Sequence, residues 1–311
     1  MKSLRGRTAL ITGGSAGIGL AIARALAREG MNLVLAARTQ ESLERAASEL
    51  QSSGTRVLTV PTDVTDLEQL QSLVDSAFHE FGSIEVLVNN AGIESHRDFH
   101  QFTSDEIVQT VQVNLLATMQ LTRLVLPNMF NAHCGHIVNV ASIAGKGGHP
   151  FGAAYAASKA GQIAFTQSLR IEYFSEGISA SVICPGFTTD GGMYQRLAAE
   201  VGFESPWFFG KTTCDAVAAA TVKAILRDRP EVIVNSFPVR PLFALGQISP
   251  RFANWLLRLG TRHFFRKIAK TREQLEIVAR DQQMTVTAAP DLSHMPHANE
   301  IDLQQVSHTK S

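Results

Sequence analysis

Short apolar runs alternate along most of this chain with longer segments of helical period, and this alternation constrains the fold more than any other feature. The runs rich in Val, Ile and Leu, which read as buried strands, occupy residues 8–12, 32–37, 56–60, 85–89, 136–141, 178–183 and 231–234. Segments with helical spacing lie at 17–29, 40–52, 66–81, 103–131, 153–175 and 212–228. Strand-helix alternation predicts a doubly wound α/β fold, a seven-stranded parallel sheet with helices on both faces.

Charge and cysteine content narrow the class of protein. The 28 basic and 28 acidic residues balance, so no nucleic-acid partner is indicated and a small-molecule partner is expected. Cys134, Cys184 and Cys214 lack the spacing of metal ligands, and we expect reduced thiols in a cytoplasmic protein. No apolar run approaches about 18 residues and no signal segment precedes the first strand, so neither export nor a membrane span is expected.

A glycine-rich turn follows the first predicted strand and opens a predicted helix. It reads Thr12-Gly13-Gly14-Ser15-Ala16-Gly17-Ile18-Gly19. Glycines let the backbone approach a pyrophosphate closely, and the N-terminus of a helix offers free N–H groups and a positive dipole end. The turn therefore predicts a dinucleotide site in a Rossmann-type sheet.

Residues at the ends of later strands indicate which dinucleotide is bound. The second strand ends in Ala37-Arg38, where a cofactor with a free ribose 2′-hydroxyl usually meets Asp or Glu, so NADP(H) is favoured. Arg38 would accommodate the 2′-phosphate, unless it is only a solvated residue at a strand end. Asp63 could accept from the adenine amino group, and Asn90-Ala91-Gly92 lie where such a sheet meets adenosine and ribose.

Tyr155 and Lys159 lie four residues apart in a predicted helix, and Ser142 lies at the end of the preceding predicted strand. Positions i and i+4 share a helix face, so the ammonium can favour ionisation of a phenol that titrates near pH ~10 when unperturbed. Such a pair can exchange a proton with a substrate, although an exposed Tyr and a snorkelling Lys have the same spacing. Asn114, in an otherwise apolar helix, is either a satisfied polar group or part of the same site.

Over roughly residues 5–235 the chain resembles the short-chain dehydrogenase/reductase family. The motifs that carry the resemblance are TGGSAGIG at 12–19, Asp63-Val64, Asn89-Asn90-Ala91-Gly92, Asn114, Ser142, Tyr155-Ala156-Ala157-Ser158-Lys159 and Pro185-Gly186. The resemblance implies that Tyr155 is the acid/base, that Lys159 lowers its pKa and holds the nicotinamide ribose, and that Ser142 hydrogen-bonds the substrate oxygen. It also implies that Asn114 positions a water that relays protons to Lys159.

The same resemblance extends to the cofactor, the activity and the assembly. The segment Pro185, Gly186 and Thr188 would bind the nicotinamide carboxamide, with Thr189 as the alternative to Thr188. The implied activity is NADP(H)-dependent interconversion of a ketone or aldehyde with an alcohol, in a homodimer or homotetramer that buries the helices at 103–131 and 153–175. A non-catalytic NADP(H)-binding sensor or scaffold is the alternative, although it would have no need to keep the catalytic residues in register.

The segment 187–210 is rich in aromatic residues where the family carries a mobile lid over the substrate. Its large side chains are Phe187, Met193, Tyr194, Phe203, Trp207, Phe208 and Phe209. If these side chains line the substrate pocket, they predict a bulky lipophilic substrate. If they belong to the protein core instead, they give no information about the substrate. His96 and His100 have no third metal ligand nearby and are expected on the surface.

Residues after the catalytic domain expected at 1–235 differ in charge. No acidic residue lies between Glu231 and Glu273, whereas basic residues recur at Arg240, Arg251, Arg258, Arg262, Arg266, Lys267, Lys270 and Arg272. After a helix start at Ser249-Pro250, the arginines 251, 258, 262 and 266 share one stripe, and across from it lie Phe252, Ala253, Leu256, Leu257, Leu259 and Phe264.

This pattern predicts a basic amphipathic helical extension at 236–284. Its apolar face would pack on the catalytic domain or on a second subunit, or the segment 249–272 would contact a membrane peripherally. The polar, aperiodic residues 285–311 predict a disordered tail.

Overall fold

The computed structural model describes residues 1–287. Residues 1–272 form one compact unit, and the residues from Glu273 onward form a second, of which 273–287 continue a helix. The tail expected at 285–311 therefore lies outside the described residues except for its first three positions, which are helical.

A seven-stranded parallel sheet organises the first unit, as the alternation of strands and helices predicts. The strands of the described chain are β1 (Thr8–Thr12), β2 (Asn32–Ala37), β3 (Val57–Pro61), β4 (Val86–Asn89), β5 (Gly135–Val140), β6 (Ile178–Pro185), β7 (Phe187–Thr188), β8 (Lys211–Thr212) and β9 (Glu231–Val234). The sheet has the order β3-β2-β1-β4-β5-β6-β9, and β7 and β8 pair separately. The order reverses direction between β1 and β4, which is where a doubly wound sheet binds ligands.

Helices cover both faces of the sheet. They are α1 (Gly17–Arg28), α2 (Gln40–Gln51), α3 (Leu67–Phe81), α4 (Ser104–Val111), α5 (Ala117–Asn131), α6 (Ala153–Glu172), α7 (Gly192–Val201), α8 (Cys214–Arg227), α9 (Arg240–Ile248) and α10 (Pro250–Thr287). Successive strand residues face opposite sides, so Ile11 packs in the core under α1, α2 and α8, whereas Leu10 packs in the core under α3, α5 and α6.

The helix expected at 103–131 is divided. Thr103 begins α4 with a capping box to Glu106, and a π-helical turn at Gln112–Leu116 separates α4 from α5. The carbonyl of Asn114, within that turn, accepts side-chain hydrogen bonds from Gln162 Nε2 at 2.6 Å and Thr118 Oγ1 at 3.1 Å. These side chains satisfy a carbonyl inside the irregular turn, which explains how the interruption is accommodated.

The first part of α10 packs within the same unit as the sheet, so the compact unit ends at Arg272 and not at the expected residue 235. Phe264, Phe265 and Ile268 are buried against Leu197 and Val201 of α7. Packing of the extension on the catalytic domain is therefore observed.

The predicted division of α10 into an apolar and a basic face needs correction. Ala253 and Phe264 are buried, but Phe252 and Leu259 are exposed on the outer side that also carries the arginines. Among the described helices, none is both long and apolar enough to cross a bilayer.

Candidate active site

A cavity of about 1230 Å³ opens at the carboxyl edge of the strands. Its lining includes these residues predicted from the sequence: Gly13, Ser15, Gly17, Ile18, Arg38, Asp63, Val64, Asn90, Ala91, Gly92, Ser142, Tyr155, Lys159, Pro185, Gly186 and Thr188. Two predicted residues, Gly19 and Asn114, are buried behind the lining. One continuous space thus joins the glycine-rich turn to the predicted catalytic residues.

The glycine-rich turn is packed so closely that side chains would not fit at two of its positions. A Cβ on Gly19 would lie 2.1 Å from the carbonyl oxygen of Gly13, so Gly19 acts by shaping the turn. Gly17 has a φ of +54°, and a Cβ there would lie 2.8 Å from Cα of Gly192, at the start of α7. The turn therefore presents bare backbone to the cavity at the N-terminus of α1.

Thr12 links the glycine-rich turn to the loop after β4. Its hydroxyl accepts hydrogen bonds from the backbone N–H groups of Asn90 at 3.0 Å and Ala91 at 3.1 Å. The side-chain amide of Asn90 donates in return to the carbonyl of Thr12 at 3.0 Å. These bonds join the ends of β1 and β4 on either side of the point where the strand order reverses.

Two charged residues lie at the end of the cavity formed by β2 and β3. Arg38 is exposed and lines the cavity directly after β2. Asp63 lines it after β3, and its Oδ1 accepts from the backbone N–H of Thr65 at 2.9 Å and from the Thr65 hydroxyl at 2.7 Å. The loop thereby fixes the Asp63 carboxylate at the cavity edge.

Tyr155 and Ser142 line the cavity and are hydrogen-bonded to each other. Ser142 begins a short 3-10 turn at Ile143–Gly145, where its hydroxyl accepts from the N–H of Ala144 at 3.1 Å. Burial raises the pKa of the Tyr155 phenol, the Glu94 carboxylate raises it further, and a hydrogen bond with Ser142 opposes the rise. The expected lowering by Lys159 is therefore not the dominant effect, and the phenol is protonated at neutral pH.

Lys159 is buried beneath Tyr155. Its Nζ lies 5.8 Å from the centre of the Tyr155 ring and donates to the carbonyl of Val140 at 2.9 Å and to Gln162 Oε1 at 3.0 Å. Burial lowers the pKa of Lys159 to about 8. Gln162, which is fully buried one turn later on α6, was not identified from the sequence, where an amide at helical spacing gives no signal.

Asn114 holds the catalytic helix against the loop after β4. Its Oδ1 accepts from the N–H of Ile93 at 2.8 Å, and its Nδ2 donates to the carbonyl of Ile93 at 2.9 Å and to Ser158 Oγ at 3.0 Å. Both polar atoms of the Asn114 side chain are thus hydrogen-bonded. The connection from Asn114 to Lys159 runs through the backbone carbonyl of Asn114 and the side chain of Gln162.

The segment after β6 separates the two candidate threonines. Thr188 lines the cavity, and its hydroxyl donates to the carbonyl of Gly186 at 3.4 Å. The hydroxyl and N–H of Thr189 both point to the carbonyl of Thr212 in β8. Thr188 is therefore the threonine available to a molecule in the cavity.

A group of polar residues beside Tyr155 was not predicted. His96 is buried, contrary to the expected surface position, because it pairs with Glu94 at 2.9 Å and stacks on Phe265 at 5.7 Å. His149 stacks on the same ring at 4.7 Å and donates from Nδ1 to the carbonyl of Pro150 at 3.2 Å. Glu94 and His149 line the cavity.

Within the described residues, no cluster of His, Cys, Asp or Glu suits a metal ion.

The large side chains of 187–210 lie in three different environments. Phe187, Met193, Tyr194 and Phe209 line the cavity. Phe203 instead packs edge-on against Phe264 at 6.0 Å, and Trp207 is exposed. The side chain of Phe208 lies outside the description. Part of this segment therefore lines the cavity, and part of it packs against α10.

The cavity suits a nicotinamide dinucleotide. The glycine-rich turn, which excludes side chains at Gly17 and Gly19, lies at the N-terminus of α1, where a pyrophosphate binds in such sheets. At one end Arg38 and Asp63 offer groups for a nucleotide, and at the other Ser142, Tyr155 and Lys159 offer donors for a reacting oxygen. The spacing along one cavity allows hydride and proton transfer to the same substrate.

Comparison with known proteins identifies the family. The model of the short chain dehydrogenase family matches residues 7–201. A ketoacyl reductase, HetN, from Nostoc sp. is 40% identical over 278 residues, which span 88% of this chain and 96% of that protein. A dehydrogenase/reductase SDR family protein 7-like from Anopheles gambiae is 33% identical over 290 residues, spanning 88% of this chain and 86% of that protein.

Solved structures show the same fold. A short chain dehydrogenase/reductase from Burkholderia phymatum in complex with NAD matches with a TM-score of 0.73 and 27% identity, covering 81% of this chain and 96% of that one. A variant of actinorhodin polyketide ketoreductase with NADPH matches with a TM-score of 0.70 and 27% identity, covering 77% and 98%. The chain belongs to the short-chain dehydrogenase/reductase family, oxidoreductases that interconvert carbonyl and alcohol groups.

Proposed function

We propose that this protein is an NADP(H)-dependent reductase of bulky, lipophilic ketones or aldehydes, with Tyr155 as the proton donor. The observation that carries the proposal is a single cavity in which Ser142, Tyr155 and Lys159 face the same space as the glycine-rich turn and Arg38. The name of the ketoacyl reductase from Nostoc supports a ketone on an acyl chain as the substrate class.

Tyr155 and Ser142 act on the substrate oxygen. Ser142 donates a hydrogen bond to the carbonyl oxygen and fixes it beside Tyr155, whose phenolic proton passes to that oxygen as negative charge develops. The raised pKa of Tyr155 keeps the phenol protonated at neutral pH, which is the form that reduction consumes. When bound, the nicotinamide supplies the hydride for reduction or accepts it in alcohol oxidation.

Lys159 and Asn114 act behind Tyr155. Lys159 would hold the ribose next to the nicotinamide through its ammonium, which Val140 and Gln162 orient. Asn114 keeps the loop at Ile93 and the helix at Ser158 in register, and its carbonyl completes a polar path through Gln162 to Lys159. Thr188, which lines the cavity, would contact the carboxamide.

The preference for NADP(H) rests on the residues after β2. Ala37 occupies the position where a carboxylate would meet a free ribose hydroxyl, and the exposed guanidinium of Arg38 follows it. Guanidinium binds phosphate with two parallel hydrogen bonds, so Arg38 suits a 2′-phosphate. The carboxylate of Asp63 lies nearby as an acceptor for the adenine amino group.

The preference for a lipophilic substrate rests on the far side of the cavity. Phe187, Met193 and Phe209 line it from the lid, and Leu257 and Phe265 line it from α10. A lining of this kind favours apolar carbon chains or rings over sugars and small acids.

The reaction is tested by following NADPH absorbance with a panel of ketones of increasing chain length. Wild-type protein is expected to turn over the longer members, and Tyr155→Phe, which removes only the phenolic oxygen, is expected to lose turnover while still binding NADPH. Turnover that survives in Tyr155→Phe would refute the mechanism. Wild-type protein that binds NADPH but reduces no member of a broad panel would support the scaffold alternative.

Cofactor choice is tested separately by measuring Kd for NADPH and NADH. Arg38→Ala is expected to weaken NADPH binding by roughly tenfold or more and to leave NADH unchanged, since one charged phosphate contact is lost. Arg45→Ala, at an exposed arginine of α2 away from the cavity, is the matched control. Tighter binding of NADH than of NADPH by the wild type would contradict the proposal.

Self-association through α4, α5 and α6 is a further part of the proposal. These helices and the residues just after them expose large apolar side chains: Val108, Val111, Met119, Phe130, Ile171 and Phe174. Exposed apolar groups on neighbouring helices are typical of a subunit interface. Light scattering is expected to give a dimer or tetramer, and a monomer at micromolar concentration would contradict this.

A further inference from the structure

An exposed apolar stripe runs along the outer side of α10. Phe252, Trp255 and Leu259 are 45%, 55% and 65% exposed, and their spacing of three and four residues places them on one helix face. The rings of Phe252 and Trp255 lie 5.7 Å apart. Large apolar groups in such a row are costly to hydrate, so the row indicates a binding surface.

Helix α9, which directly precedes α10, also exposes apolar side chains. Leu245 and Ile248 of α9 are also exposed, Ile248 to 82%. The two helices pack where a Cβ on Gly246 would lie 3.4 Å from Cβ of Ala253. We call the exposed residues Leu245, Ile248, Phe252, Trp255 and Leu259, with the arginines described next, the α9–α10 surface.

Arginines border the apolar stripe. Arg251, Arg258, Arg262 and Arg266 are exposed on the same outer side of α10. None of the four forms an ion pair within the described chain, and no acidic residue occurs at 232–272. In a chain that is neutral as a whole, this local excess of positive charge indicates a partner that is both apolar and anionic.

The α9–α10 surface adjoins the proposed substrate cavity. Leu259 belongs to both, and Leu257 and Phe237 line the cavity beside it. Phe243 of α9 lies against the loop after Ser142, 3.4 Å from where a Cβ of Gly147 would be. Leu259 and its cavity-lining neighbour Leu257 therefore give an apolar connection between this surface and the cavity.

We propose that the α9–α10 surface docks on an anionic lipid bilayer and that the apolar substrate enters the cavity from it. The aromatic and aliphatic side chains of this surface enter the boundary between headgroups and acyl chains, while the arginines bind lipid phosphates. The docking stands independently of the reaction, whereas entry of the substrate rests on the proposed function. A vesicle-binding assay requires no turnover, so the two can fail separately.

The test uses the full chain with Trp207→Phe, which leaves Trp255 as the remaining tryptophan of the two in the sequence. The protein is titrated with phosphatidylcholine vesicles and with vesicles that also contain phosphatidylglycerol, and fluorescence and co-sedimentation are recorded. We expect Trp255 emission to shift to the blue and the protein to sediment with the anionic vesicles. High salt should weaken both effects by screening the arginines.

Variants locate the contact. Arg251→Gln with Arg258→Gln is expected to weaken binding about fivefold for each arginine removed. Phe252→Ser with Leu259→Ser should also weaken it, whereas Leu67→Ser, at a residue of α3 with a matched 44% exposure, should not. Melting curves check that every variant is folded.

Three results would overturn the proposal. The first is absence of binding to anionic vesicles, and the second is equal binding to both kinds of vesicle. The third combines two measurements: the wild type does not bind vesicles, and one of these surface variants has a lower assembly mass than the wild type in light scattering. That result would assign the α9–α10 surface to a second copy of the chain.

Discussion

The hydrogen bond between Gln162 and Lys159 allows a quantitative test of the buried ammonium. Gln162→Met keeps the side-chain volume but removes Oε1, which accepts from Lys159 Nζ at 3.0 Å. A hydrogen bond to a charged group contributes about 1.5–3 kcal/mol, and 1.36 kcal/mol corresponds to about one pKa unit. Because the lost bond favours the protonated form, the pKa of Lys159 should fall from about 8 to roughly 6–7.

Calorimetric titration with NADP⁺ across pH measures this shift, since the proposed ribose contact requires the ammonium. Affinity is expected to decline as pH rises through the pKa of Lys159, and Gln162→Met should move this decline down by about one to two pH units. Thr118→Val is the control, because it removes the 2.9 Å bond from Gln162 Nε2 but leaves Oε1 in place. An unmoved decline in Gln162→Met, or an equal movement in Thr118→Val, would refute the reasoning.

Three other predictions concern the cavity. Glu94→Gln removes a carboxylate that raises the pKa of Tyr155, so the rise of alcohol oxidation with pH should move to lower pH; an unmoved pH–rate profile would contradict this. Thr12→Val leaves two backbone N–H groups without their acceptor, so its free energy of unfolding, measured by urea denaturation, should be about 2–3 kcal/mol lower than that of Thr12→Ser. Equal stability of the two variants would disprove the role of the hydroxyl. Gly19→Ala places a methyl group 2.1 Å from the Gly13 carbonyl, and NADPH affinity should fall roughly tenfold or more in a fluorescence titration, with unchanged affinity counting against the packing.

The sequence was sufficient for features that depend on local spacing. Alternating strands and helices predict the sheet, because they follow from the chain's own periodicity, and the structure places the glycine-rich turn after β1 at the cavity. Tyr155 and Lys159 share a helix face for the same reason, and the structure places both at the cavity.

Features that depend on distant partners could not be predicted. Gln162 is informative only once Asn114 and Lys159 are known to lie beside it. His96 is a loop histidine, a type of residue that usually lies at the surface. It is buried because Phe265, far along the chain, stacks on it. The burial pattern of α10 likewise depends on distant partners, because Phe264 packs with the segment 187–210 and Phe265 stacks on His149.

Because Phe265 stacks on His149 beside Tyr155, the cavity is closed by residues that are synthesised late. The lining segments from the glycine-rich turn to Gly186 are synthesised first, and the ribosome adds roughly 80 further residues before Phe265 is present. At about 5–20 residues per second this interval lasts roughly 4–16 s. During that time the nascent chain carries the glycine-rich side of the cavity without Phe265, so the order of translation sets the order in which the two sides of the cavity are made.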